Sequence, residues 1–140
     1  VEMKLVNNMN FKKEIDEITK QAIGELDKVK FYQRTKEDRL KAIGNIYFLY
    51  SNGEMKYIGQ RQAKGIKTRL DQHLFGKSFS VNKNNVQNGT ISKWNKVNLE
   101  IESGNLITFK TILIEPDNLR TTIELELINH FKPEWNIQGK

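Results

Sequence analysis

At 140 residues, with 37% hydrophobic and 29% charged side chains, the chain has the size and balance of one globular domain with a modest core. No apolar run approaches the ~18 residues of a membrane span and no signal-peptide pattern appears, so no membrane partner is expected. The lack of cysteine excludes disulfides and cysteine-based zinc or redox sites and fits a reducing cytoplasm, while the net charge of +6 points to a polyanion such as nucleic acid.

Residues 1–9 carry no clear period and are expected to fray. From Asn10 a helical stripe begins, Phe11, Ile15, Ile18 and Ala22; Gly24 either ends it or weakens it before Leu26 and Val29 continue a similar face. Thr35 is the candidate cap of a second helix, Lys36 to Ile43, stopped by Gly44. Residues 1–44 thus read as an N-terminal helical arm. Its lysines and arginines are interleaved with acids, which suits either a solvated face or a grip on phosphates.

Asn45 to Gly59 reads as a β-hairpin. Two runs rich in β-branched and aromatic residues flank Asn52-Gly53, the dipeptide that best tolerates positive φ at both centres of a type I′ turn. Period-two alternation allows Tyr47, Leu49 and Tyr57 to share a face. A polar loop from Gln60 to Gly65 carries Arg61 and Lys64. The next helix, Ile66 to Phe75, should bury Ile66, Leu70 and Leu74, with Arg69 and His73 projecting together at i and i+4. Gly76 to Thr90 is polar and long for a connection in a small domain, which suggests a functional loop. A helix from Ile91 to about Ile101 would turn Trp94, Val97 and Ile101 inward. Leu106 to Ile114 alternates as a strand, ended by Pro116-Asp117-Asn118, and a last helix runs from Thr121 through Phe131 to the stop at Pro133. This order predicts an α+β fold, a small antiparallel three-stranded sheet flanked by helices, in a domain over 45–140 with an insertion at about 76–104.

Five motifs in order carry a resemblance. They are Ile46-Tyr47, then Tyr57-Ile58-Gly59 about ten residues on, then Arg69-Leu70-Asp71-Gln72-His73, then Glu124 on the last helix, then Pro133-Glu134-Trp135-Asn136. Together, over roughly residues 45–138, they resemble the GIY-YIG nuclease family, with Asn45 standing where the family has its first glycine. The resemblance implies the GIY-YIG-like fold and an endonuclease that hydrolyses DNA phosphodiesters by metal-assisted, direct attack of water. It also implies one Mg²⁺ or Mn²⁺ held at Glu124, which suits an ion needing only one or two protein carboxylates.

In the roles so implied, Arg69 clamps the phosphate, Tyr57 is the preferred base, Tyr47 positions the attacking water, and His73 relays a proton or contacts phosphate. A free phenol titrates near ~10, so a tyrosine base needs a cation beside it. Gly59 and Asn136 are expected as structural residues at the site, Asn136 tying down the C-terminal segment, with Trp135 in the core and Tyr50 as packing. Glu124 has a second reading, because Thr121-Thr122-Ile123-Glu124 also spells a capping box. Arg61, Lys64, Lys67, Lys77, Lys83 and Lys93 are the candidate contacts to double-stranded DNA. Cutting both strands needs two active sites or two visits, so a dimer or tetramer on DNA would suit. The expected setting is the cytoplasm of a bacterium or a phage-infected cell. The competing readings are a DNA-binding module that has lost cleavage, a sequence-specific restriction-type nuclease, and a structure-specific repair nuclease.

Overall fold

The structure, a computed structural model, describes residues 2–61, 74 and 88–138, with side chains at 10–61, 74 and 94–137. Helix α1 (Glu2–Lys28) leads to a two-residue strand β1 (Tyr32–Gln33) and a short helix α2 (Lys36–Lys41). The hairpin β2 (Ile46–Ser51) and β3 (Glu54–Gln60) follows. After it come α3 (Asn88–Glu102), β4 (Ile107–Ile112), α4 (Arg120–Phe131) and α5 (Glu134–Gln138). The sheet is antiparallel, in the order β1-β4-β2-β3.

The expected three strands are therefore four. Tyr32 and Gln33 pair with Phe109 and Thr108 to add a short edge strand, too brief to leave an alternating pattern in the sequence. A second correction concerns the N-terminus. Helix α1 begins at Glu2 rather than Asn10 and runs through Gly24 to Lys28. Gly24 costs a helix about 1 kcal/mol relative to alanine, but Ile15, Ala22 and Leu26 are buried on either side of it and offset that loss. They join the main core cluster, so this stretch of the expected arm is packed onto the domain.

The hairpin turns as its sequence predicts. Ser51 pairs with Glu54, leaving Asn52 and Gly53 as the two loop residues at φ 51° and 82°. Between the Leu49–Tyr57 and Tyr50–Met55 pairs the register shifts, which leaves Lys56 as the extra residue of a β-bulge. Lys56 Nζ lies 3.0 Å from Glu134 of α5 and 3.6 Å from Glu54, and the Glu134 hydrogen bond holds the ammonium above the ordinary lysine range.

Alternation sorts the sheet residues onto two faces. Ile46, Phe48, Tyr50, Ile58 and Ile112 face one way, against Ile15, Ala22 and Leu26 of α1 and Ile123 and Leu127 of α4. Tyr47, Leu49, Ile107 and Phe109 face the other, against Val97 of α3, Leu74 and Trp135. Trp94 and Ile101 pack against this second cluster, as their helical spacing requires, and Trp135 is buried as expected. On the first face Lys110 Nζ donates to the Leu26 carbonyl at 2.9 Å and sits 4.3 Å from the Phe31 ring centre, so a buried lysine closes the end of α1. Among the described residues no helix is long and apolar enough to cross a membrane.

Candidate active site

The site is built at the far end of β3, where three consecutive residues each take a different task. Tyr47 pairs with Gly59 across the hairpin, and its fully buried ring lies over that glycine. A Cβ at position 59 would come within 2.7 Å of Tyr47 Cε2 and closer still to Cζ and Oη. Glycine is required here by close approach of a side chain rather than by an unusual φ. Tyr57 lies on the same face, with ring centres 6.2 Å apart and planes tilted by 46°. Tyr47, Leu49 and Tyr57 therefore share a face, as alternation predicts, and Tyr57 is the half-buried member.

Ile58, between them, carries the strand's outer edge. Asn136 Oδ1 accepts from Ile58 N at 2.8 Å, and Asn136 Nδ2 donates to Ile58 O at 2.9 Å. One side-chain amide thus does for the edge strand what a further strand would, and it ties α5 to β3. This is the tethering expected of Asn136.

Gln60 points to the opposite face and reaches α4. Its Oε1 accepts from Arg120 Nε at 2.9 Å and from Thr121 Oγ1 at 3.0 Å, which fixes the amide orientation. Its Nε2 then donates to Glu124 Oε1 at 3.3 Å. Glu124 is half-buried on the first exposed turns of α4. The alternative of a capping box does not hold, because α4 starts at Arg120, one residue earlier than read. Its cap residue is Leu119, with no side-chain cap hydrogen bond, and a 3-10 turn over Asp117–Leu119 leads into it. By contrast Thr35 does cap α2, accepting from Asp38 N at 3.2 Å.

Asn45 is a structural residue of a kind the sequence does not announce. It is 1% exposed. Its Oδ1 accepts from Ile114 N at 2.8 Å, its Nδ2 donates to Ile114 O at 2.9 Å, and the same Nδ2 donates to Asp117 Oδ1 at 3.1 Å. The side chain thus extends the β2–β4 ladder past the end of both strands. Asp117 in turn accepts from Arg120 Nη1 at 3.2 Å. A continuous run of hydrogen bonds leads from Asn45 through Asp117, Arg120 and Gln60 to Glu124.

Arg61 corrects another expectation. Far from facing DNA, it is 5% exposed, with Nε donating to Gly44 O at 2.9 Å and Nη2 donating to Ala42 O. It clamps the chain as it enters β2, where Gly44 lies so close that a Cβ would meet the Ile112 backbone at 2.7 Å. Counting basic residues cannot tell such a buried brace from a surface contact. Tyr50 is packing: it is buried with an edge-on contact to Phe31 at 4.8 Å. Burial, and to a lesser degree Asp27, pushes its hydroxyl far above the ordinary phenol range, so it stays protonated. His130 is exposed and stacks edge-on against Phe131 at 4.7 Å, outside this network.

Arg69, His73, Lys64, Lys67, Lys77 and Lys83 lie outside the described residues, and the Lys93 side chain does as well. Among the described residues no three acidic or histidine side chains come together. Gln60, Arg120, Thr121 and Asp117 join the hydrogen-bond network that reaches Glu124, and sequence reasoning missed all four. Thr121 enters the sequence reading only through the capping box, and Gln60, Asp117 and Arg120 stand in none of the five motifs. Compared with protein-family models, with curated proteins and with solved structures, the chain matches none of them.

Proposed function

We propose that the chain is a metal-dependent DNA endonuclease of the GIY-YIG type, hydrolysing phosphodiesters by direct attack of water. One observation carries this reading. Consecutive residues Gly59 and Gln60, with Cα atoms about 3.8 Å apart, hold the Tyr47 ring on one side of β3 and the Glu124 carboxylate on the other. A phenol and a carboxylate are thus fixed at one strand end, in a basic protein.

Position and burial support the following roles. Tyr57, half-buried, is the phenol placed to meet solvent and substrate, so it orients the attacking water and takes its proton. Tyr47, expected to position the attacking water, is fully buried, so its positioning role is instead exerted through the Tyr57 ring and the Gly59 backbone. Glu124 is the ligand side chain, held by the Gln60 amide. A divalent ion bound there would supply charge relief to the phosphate and to the departing oxygen. Arg69, in the family's phosphate-clamping position, supplies a planar cation. Asn45 gives no support to a module that has lost cleavage, because its amide is engaged in bracing the Ile114 backbone, a frame role.

Incubation with supercoiled plasmid tests the reading. Nicked and linear products are expected with Mg²⁺ or Mn²⁺ and none with a chelator. Intact plasmid under every divalent ion would overturn it.

A further inference from the structure

We propose that Arg120 is a second phosphate-contacting side chain of the same site, presented to the DNA backbone beside Glu124. The inference rests on the nuclease reading and adds to it a residue outside the motifs that suggested it.

The guanidinium has five N–H donors in a fixed plane. Nε donates to Gln60 Oε1 at 2.9 Å, and Nη1 donates to the Arg61 carbonyl at 3.0 Å and to Asp117 Oδ1 at 3.2 Å. These bonds lock the plane from two sides and leave the two Nη2 donors without an acceptor among the described residues. The side chain is 22% exposed, so it is not sealed from solvent. Its neighbour through Gln60 is the Glu124 carboxylate. A carboxylate and an open guanidinium edge, both fixed by one glutamine, are complementary to a phosphodiester with its metal ion. Glu124 would hold the ion, and Arg120 would donate to a non-bridging oxygen.

Asp117 could have satisfied this arginine as a simple ion pair. It is largely exposed and already accepts from Asn45, so it orients the guanidinium more than it neutralises it. Of the ordered hydrogen bonds reaching Arg120, two come from uncharged oxygens, those of Gln60 and Arg61. Its charge therefore remains available to an anion.

The test is equilibrium binding of a labelled duplex by the full chain, in chelator, across a salt series, for the wild type, Arg120→Gln and Arg120→Lys. Arg120→Gln should bind more weakly. Because one phosphate contact contributes about 0.9 to the salt slope, its loss of affinity between about 50 and about 200 mM salt should be roughly 3–4-fold smaller than the wild type's. Arg120→Lys should keep the wild-type slope, since it keeps the charge. A brace with no phosphate contact would lower the melting temperature of both variants and leave both slopes alone, which overturns the proposal. If Arg120→Gln fails to fold, phenylglyoxal modification of wild-type Arg120, read by peptide mass mapping, decides instead. Duplex should slow it, and an unchanged rate overturns the proposal. A wild type that cleaves plasmid while Arg120→Gln behaves identically removes Arg120 alone. A wild type that neither binds duplex nor cleaves removes the nuclease reading and its phosphate ligand together.

Discussion

Gly59→Ala is expected to destabilise the protein by about 2–3 kcal/mol, the upper range for forcing a methyl group into a packed core. The new Cβ would meet ring carbons of Tyr47 rather than the far end of a flexible side chain. The ring cannot swing away, because Tyr47 is fully buried in the cluster with Leu49, Val97 and Trp135. Adding Tyr47→Phe should not restore stability, since Cζ and Cε2 collide as well as the hydroxyl. The control is the same chemical change elsewhere. A Cβ at Gly24, inside α1, meets nothing within 4 Å. Gly24→Ala should therefore raise stability, by up to about 1 kcal/mol from helix propensity. Urea unfolding of the two variants should give shifts of opposite sign. Equal shifts would mean that the Tyr47–Gly59 contact is not what holds the end of the hairpin.

Asn45→Ala should cost about 3–4 kcal/mol. Truncation strands both the N–H and the carbonyl of Ile114 at a buried corner, and each buried unpaired polar group costs about 1–3 kcal/mol. It also removes a donor from Asp117, loosening the path to Arg120 and Gln60. Asn45→Asp should not rescue the loss. A second carboxylate oxygen would face the Ile114 carbonyl and the Asp117 carboxylate with no donor between them. Urea melts check this directly, and a cost below about 1 kcal/mol would show that water replaces the amide.

How much of this was legible in the sequence depends on the range of the interaction. The hairpin was readable because its turn chemistry is local: Asn52 and Gly53 adopt the positive φ their side chains permit. So were the Thr35 cap and the end of α4, where Lys132 turns left-handed before Pro133. Strand β1 was not, since two residues pair only because β4 offers an edge. The continuation of α1 through Gly24 was undecidable locally and is settled by tertiary burial. Tyr47 and Tyr57 share a face as alternation predicts, and Asn136 ties the C-terminal segment to β3. Asn45, Gln60, Asp117 and Arg120 meet across up to 75 positions of sequence, as the separation of Asn45 from Arg120 shows. No pattern short of the fold announces such a meeting. The false capping box has the same origin: Thr121 bonds to Gln60 on another strand instead of to its own helix.

The most direct measurement is a Mg²⁺ titration of plasmid cleavage for the wild type beside Glu124→Gln, with duplex affinity followed in parallel. Glutamine keeps the shape and an oxygen to accept from Gln60 Nε2, so the fold and DNA binding should persist while the ligand charge is lost. The predicted result is unchanged affinity with cleavage lowered on the order of 10³-fold, several kcal/mol of transition-state stabilisation. Cleavage by Glu124→Gln at the wild-type rate and with the same Mg²⁺ dependence would contradict the assignment of the site.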